Sequence, residues 1–408
     1  MSGSRIPNTA LAAELTELLT VVDPYAVADV ILRRAFDHRA TDVHLDPTPA
    51  GLRVRFRVDG RLQDIVPIPA AARNNVLSRI KVRAGMDITE RRVPQDGHIS
   101  AEEVDGIARS IRVSSLPTIY GERLALRMMP DPEEFSRLDD LGLFDNQLDM
   151  VQSLLSCPYG LVLIVGPVGA GKSTTLFSLL RELNLPDRSL VTIEDPVERL
   201  LPGANQIQVQ SKTGLSFAVA LRGVLRQDPD ILGIGEIRDA ETAAIACQAA
   251  MTGVLVLSTL HAGSAVSALA VLRQFGVHPT VLGDGLRGIV SQRLVRRVCA
   301  DAREEYVPDD ETCHRLGLPR GQTTVRGIPA DSNFQTGYMG RIGVFETLPA
   351  TFAVRDAIGR HASTDTIRQI AIDEGMVTLE DSARRHVQEK TTSVDELERI
   401  MLDLRLQY

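Results

Sequence analysis

The stretch that most constrains this chain is an apolar run with a glycine-rich sequence directly behind it. LVLIV (161–165) leads straight into Gly166-Pro167-Val168-Gly169-Ala170-Gly171-Lys172-Ser173-Thr174, which matches G-x-x-x-x-G-K-[ST] in full. The residues after Lys172 read as a helix, so strand, loop and helix stand in the order a phosphate-binding loop requires. Glycines let backbone N–H groups wrap around phosphate oxygens. Lys172 offers a point charge to the β- and γ-oxygens, and Ser173 offers a hydroxyl to Mg²⁺. The helix N-terminus directs its dipole at the same anion.

Such a loop needs a parallel sheet behind it, and the flanking sequence supplies one. Short apolar runs recur at LVTIE (190–194), ILGIG (231–235) and VLVLST (254–259), separated by helical stretches. Runs of this kind are parallel strands buried on both faces. The fold class expected is α/β, with a P-loop NTPase core from 138 to 408 that binds ATP and Mg²⁺. The last hundred residues read as mostly helical, interrupted by a polar, Pro/Gly-rich stretch from about Asp301 to Gly337.

The preceding residues have a different texture. Leu52, Val54, Phe56 and Val58 alternate with Arg53, Arg55 and Arg57, the period of a half-exposed strand. Asp59-Gly60 signals a hairpin turn, with Leu62–Ile68 returning as the partner strand. A helix around 71–84 and strands near 108–114 and 123–129 complete a small α+β domain over 26–130. Residues 1–25 are expected to form a helical extension, and 131–137 a linker. Residues 30–130 hold 17 basic and 12 acidic side chains, 17 − 12 = +5, inside a chain of net charge −8. That local surplus suits either an ordinary solvated sheet face or a domain that meets phosphates.

A P-loop also needs an acid on the metal side and a group to orient water. Carboxylates at the ends of the following strands are the candidates, because α/β sheets bind ligands at strand C-termini. Glu194 and Asp195 follow LVTI, and Glu236 follows ILGIG, where Gly235 stands in the place a metal-binding Asp would take. Glu236 is therefore the expected general base or water positioner, and Asp195 or Glu194 takes the Mg²⁺ side. His261 ends the strand begun by VLVLST, where an imidazole can sense the γ-phosphate.

Composition removes whole classes of protein. With 408 residues, two or three domains are expected. Cys157, Cys247, Cys299 and Cys313 are scattered without a CxxC pair, which fits a reducing compartment. No apolar stretch approaches the length of a membrane span, and MSGSRIPNTA is not a secretory leader. Acidic net charge, absence of Trp and 4% aromatic content argue against a nucleic-acid partner. Only four residues are lysine, so a lysine retained at Lys172 points to a need for a compact ammonium.

Taken in order, GPVGAGKSTTL, TIEDPVE, DPDILGIGEIRDAETA and STLHA resemble the Walker A, Asp box, Walker B and His box of the type II/type IV secretion ATPases. Upstream, TDVHLDP, VRFRVDG, RIKVRAGMDITERRVPQDGHI and IRVSSLPTIYGERLALR are similar to that family's N-terminal domain. The resemblance runs from about residue 26 onward. It implies a RecA-like ATPase core with a smaller PAS-like domain ahead of it. It also implies a homo-oligomer, a hexamer in this family, cytoplasmic and bound to the inner membrane through platform proteins. Arg112 and Arg127 match arginines that reach the nucleotide phosphates, and ATP hydrolysis would power secretion or pilus assembly.

The departures are specific. Assembly-type members carry a tetracysteine zinc element. Here Cys299 holds the first position, while Ala302, Ala330 and Asn333 hold the other three, within an insert of about 299–337. One thiolate cannot close a tetrahedral zinc site, so zinc is expected to be absent. The family's TGH segment reads Thr252-Gly253-Val254, and its HTNDA reads HAGSA. A pilus retraction motor, a nucleic-acid motor with a RecA-like core and a weakly hydrolysing scaffold are the alternatives.

Overall fold

The structure is a computed structural model that describes residues 24–100, 109–130 and 137–405, together with Ala13, Thr16 and Glu17. The expected helical extension at 1–25 and the linker at 131–137 therefore lie almost wholly outside the described residues. The chain packs as two compact units. The first runs to Asp131 and also takes in Val298–Glu304 and Gly327–Gly340; the second comprises Pro132–Arg297, Glu305–Arg326 and Arg341–Tyr408.

In the first unit a six-stranded sheet has the order β3-β2-β1-β6-β5-β4. Its strands are β1 (Asp42–Thr48), β2 (Gly51–Val58), β3 (Arg61–Pro69), β4 (Gln95–Ile99), β5 (Ile111–Thr118) and β6 (Gly121–Met128). The alternation read in β2 holds, with Leu52, Val54, Phe56 and Val58 buried. The hairpin turn uses left-handed φ at Asp59 (48°) and Gly60 (83°), matching the right-handed twist of the paired strands. Helices Pro24–Asp37 and Ala70–Arg83 share one core with the apolar sheet face through Ile31, Leu32, Val76 and Ile80. Phe334, from the returning segment, is buried in that core and meets His38 edge-on at 4.8 Å.

Three polar groups stand inside this core. Lys81 Nζ donates to Glu122 Oε1 at 2.6 Å, both side chains being almost fully buried, and Ser115 Oγ donates to the same oxygen at 2.7 Å. Removing one partner of such a pair leaves a buried uncompensated charge, at a cost of about 3–5 kcal/mol. The opposite sheet face carries paired charges. Arg55 and Arg123 hold Asp46, and Arg57 and Arg127 flank Asp42 at 3.5 and 3.8 Å.

The second unit has a seven-stranded sheet in the order β15-β12-β7-β11-β10-β8-β9. The strands are β7 (Gly160–Val165), β8 (Leu190–Glu194), β9 (Asn205–Gln208), β10 (Ile231–Ile234), β11 (Leu255–Leu260), β12 (Leu286–Val298) and β15 (Tyr338–Pro349). A separate two-stranded sheet pairs β13 (Arg303–Tyr306) with β14 (Thr324–Gly327). From β12 through β9 every neighbour pair is parallel. All four apolar runs of the sequence are strands here. Leu161, Leu163 and Val165 face one helical layer, and Val162 and Ile164 face the other. Burial on both faces follows, as parallel sheets require.

β12 and β15 are the elements that the sequence pattern did not disclose. In LRGIVSQRLVRRV and YMGRIGVFETLP, buried Gln292, Arg293, Arg296 and Glu346 interrupt the apolar spacing. Each has a partner: Arg296 pairs with buried Glu396 at 2.8 Å, and Glu346 accepts the Ala265 N–H at 2.9 Å. The stretch read as mostly helical thus contains a twelve-residue strand.

Buried His386, on the helix Leu379–Gln388, lies against Phe144 and hydrogen-bonds the Gly343 carbonyl oxygen at 3.1 Å. Burial lowers its pKa to about 4. The unfolded chain, with an ordinary histidine near 6.5, then binds the proton more tightly than the folded one. This contribution is complete above pH 6.5 and is lost as pH falls toward 4, by about 3 kcal/mol. Unfolding midpoints followed from pH 8 to 4 are expected to drop through this window. His386→Leu should flatten that part of the curve; an unchanged curve would remove His386 as its source.

Candidate nucleotide site

β7 ends at Val165 and the chain turns into the glycine loop. Gly169 (φ 78°) and Gly171 (φ 91°) adopt left-handed conformations that favour glycine, and a Cβ on Gly171 would stand 2.8 Å from Gln292 Nε2. The helix Lys172–Leu183 starts at once, with Ser173 exposed at its N-terminus. Lys172 is buried, donating to the carbonyl oxygens of Gly166 and Pro167 at 2.8 and 3.1 Å. Burial depresses its pKa; Glu236 works in the opposite direction, and Arg293 adds to the lowering.

Around Lys172 the strand ends place one continuous series of polar contacts. Lys172 Nζ lies 3.3 Å from His261 Nδ1, just past β11. An ammonium only donates, so Nδ1 accepts and the ring proton sits on Nε2. His261 Nε2 lies 3.0 Å from Glu236 Oε1. The other Glu236 oxygen accepts from Arg238 Nε at 2.9 Å, and Arg238 Nη1 donates to Asp195 Oδ2 at 3.3 Å. Hydrogen bonding to Glu236 raises the already high pKa of Arg238. The turn is fastened to β11, since Ile237 N–H donates to the Thr259 carbonyl at 3.0 Å and Thr259 Oγ1 donates to the Gly235 carbonyl at 2.7 Å.

Of the residues singled out by sequence, Lys172, His261, Glu236 and Asp195 thus form one cluster beside the loop Gly166–Ser173. Glu194 faces elsewhere: its Oε1 accepts from Thr192 Oγ1 at 2.6 Å and Gln206 Nε2 at 3.0 Å. Arg112 and Arg127 belong to the first unit, at opposite register positions on β5 and β6. The Arg127 side chain is 64% exposed. The loop, the hydroxyl of Ser173 and the carboxylate of Asp195 make a donor set of backbone amides, an ammonium and hard oxygens. That set suits a phosphate with Mg²⁺.

Sequence reasoning missed three residues. Arg238 lay in plain view, two positions beyond Glu236. Gln292 backs the loop, accepting from Thr175 Oγ1 at 2.7 Å. Arg293 donates to the Gly263 carbonyl at 2.7 Å and pairs with Asp403 at 2.9 Å. Nothing short of the fold links β12 to the loop, so neither of the last two had a sequence signal.

At the degenerate cysteine positions, Asn333 is a buried structural hub. Its Oδ1 accepts the N–H groups of Ala330, Thr336 and Gly337 at 3.0, 3.1 and 3.0 Å, and its Nδ2 donates to the Ile328 carbonyl at 2.9 Å. Cys299 is buried, with its N–H bonded to the Gly337 carbonyl at 3.0 Å.

Residues 22–399 match the family described as Type II/IV secretion system protein. The type IV pilus assembly ATPase PilB of Thermus thermophilus is 42% identical over 371 residues, covering 90% of this chain and 42% of its own length. Type II secretion system protein E of Dickeya dadantii is 40% identical over 403 residues, 94% of this chain and 80% of that one. Among solved structures, the pilus retraction motor PilT with bound ADP superposes with a TM-score of 0.62 at 25% identity. The alignment covers 91% of this chain and 96% of that one. The Legionella pneumophila ATPase DotB superposes with a TM-score of 0.69 at 22% identity, over 92% and 95% of the two chains. The chain belongs to the type II/IV secretion system family of ATPases and has that family's RecA-like core.

Proposed function

We propose that this chain is the ATP-hydrolysing motor of a type II secretion or type IV pilus assembly apparatus. It would act as a hexamer at the cytoplasmic face of the inner membrane and drive a membrane platform partner. The observation that carries the reading is the contact series Lys172–His261–Glu236–Arg238–Asp195 at the strand ends beside the glycine loop. The relatives near 40% identity are secretion and pilus assembly proteins, which favours assembly over retraction. Among the described residues no helix is long and apolar enough to cross a membrane, so membrane contact is assigned to the partner.

In this reading the loop amides and Lys172 bind the β- and γ-phosphates. Mg²⁺, when bound, neutralises phosphate charge, and Ser173 and Asp195 are the residues that would hold it, with Glu194 as the neighbouring acid. Glu236 orients water and takes its proton. His261, between Lys172 and Glu236, ties the position of the ammonium to that of the base. Arg112 and Arg127 of the first domain supply positive charge to the phosphates in the assembled motor.

Lys172→Ala is expected to abolish tight ATP binding in calorimetry, since no other loop side chain is cationic. Glu236→Gln should bind ATP normally while turnover falls by about 10²–10⁴-fold. Wild-type affinity in the first, or near-normal turnover in the second, would refute the respective assignment.

Replacing Arg112 or Arg127 by Ala is expected to lower turnover far more than nucleotide affinity. Arginine fingers contribute about 10³–10⁵ in rate in other NTPases. Steady-state rates set beside equilibrium binding decide it, and full activity in both variants would make the first domain a docking module only.

The motor is proposed to work without zinc, because Ala302 and Ala330 offer no ligand atom and the Asn333 amide is engaged by four backbone groups. Elemental analysis should find well under one zinc per chain; stoichiometric zinc whose chelation lowers the melting temperature would overturn this.

A further inference from the structure

Inside the second unit, two helices begin beside one buried carboxyl group. Ser264 caps the helix Ala265–Gln274, its hydroxyl accepting the Ser267 N–H, and Thr378 caps the helix Leu379–Gln388, its hydroxyl accepting the Asp381 N–H. Each cap serves the third amide of its helix and leaves the first without an intrahelical partner. Glu346 of β15, only 2% exposed, takes both first amides. Its Oε1 accepts the Ala265 N–H at 2.9 Å, and the Leu379 N–H also bonds the carboxyl. Burial pushes its pKa up, opposed by those two amides and by Arg368. We propose that Glu346 is a positioning residue for the nucleotide site, fixing the start of the helix Ala265–Gln274 so that His261 stays between Lys172 and Glu236. The proposal rests on the reading of His261 as the tie between the ammonium and the base.

The path from Glu346 to His261 is short, four residues along the chain from Ala265. The His261 side chain is 46% exposed, so packing does not hold the ring, and its place depends on where the backbone enters and leaves. β11 fixes the entry, with Leu260 buried. On the exit side Arg293 donates to the Gly263 carbonyl at 2.7 Å and Glu346 accepts the Ala265 N–H. The peptides after His261 are thus held by β12 and β15, neighbours in the sheet. Without Glu346 the Ala265 amide would be buried and unpaired, and the segment would shift to find another partner. His261 Nε2 stands 3.0 Å from Glu236, so a shift of about 1 Å breaks that contact, and misplacements of this size cost about 10²-fold in rate. A carboxylate suits the position because both of its oxygens accept. A glutamine amide would turn an NH₂ group toward a backbone donor.

Full-length Glu346→Gln should bind a fluorescent ATP analogue within about threefold of wild type, while kcat falls about 10- to 100-fold and KM changes little. Ala265→Pro removes the donor instead of the acceptor. The first position of a helix accepts proline, and Ser264 before it is already extended (φ −149°, ψ 172°). This variant should lose kcat to a similar extent, and it carries the comparison on its own if Glu346→Gln folds poorly. His261→Ala supplies the readout that a general loosening of the fold would not move. If Glu346 acts through His261, adding Glu346→Gln or Ala265→Pro to His261→Ala costs less than about threefold further in kcat. Losses that multiply in the double variants, wild-type kcat in both single variants, or a loss confined to KM would each overturn the role of Glu346. Full turnover in His261→Ala sinks the assignment of His261 itself, whereas turnover lost there but kept in Glu346→Gln and Ala265→Pro sinks only the positioning role.

Discussion

The second unit is organised by the burial of its sheet on both faces. β7, β10 and β11 have no exposed residue along their length, and their side chains alternate between two helical layers. Charged chemistry cannot be accommodated within these three strands, because an unpaired ion there forfeits its hydration. It is displaced to the strand ends, and the parallel register brings several ends to one edge. Asp195, Glu236 and His261 are placed this way, beside the loop that leaves β7, while Glu194 at the end of β8 turns to Thr192 and Gln206.

Charge at that edge is arranged so that each group has its complement. The ammonium of Lys172 meets two carbonyls and an imidazole, the imidazole meets a carboxylate, and the carboxylate meets a guanidinium shared with a second carboxylate. No member is deeply buried without a partner, which avoids the several kcal/mol penalty of an isolated ion in a low-dielectric site. β12 supports the arrangement from behind, with Gln292 against Gly171 and Arg293 against the loop after His261. Arg293 also reaches Asp403, on the helix Val394–Arg405, so this edge of the site is braced by an element more than 100 residues further along.

What could be read from the residues was whatever expresses itself locally. Gly169 and Gly171 declare left-handed turns, LVLIV declares a doubly buried strand, and the alternation in β2 declares one wet face. β1 and β4 were not legible as strands, since Pro47 interrupts the first and QDGHI lacks any apolar alternation; they are strands because their neighbours pair with them. β12 and β15 were hidden for the opposite reason. Their arginines, glutamine and glutamate look like solvent-facing residues until their distant partners are known. The same holds for Lys81, whose burial depends on Glu122 and Ser115, 41 and 34 residues away in sequence.

The return of Val298–Glu304 and Gly327–Gly340 to the first unit bears on how the chain is made. A ribosome that has reached residue 131 has made every strand of the six-stranded sheet but not Phe334, which fills part of its core. Nor has it released Gly340, whose N–H bonds the Asp59 carboxylate at 2.9 Å in the β2–β3 turn. Translation adds about 5–20 residues per second, so some 200 further residues take about 10–40 s to emerge. During that interval the first unit lacks part of its own interior, and most of the nucleotide-binding sheet is synthesised before the first unit is complete. The unit whose chain is begun first therefore stays incomplete while most of the second is being made.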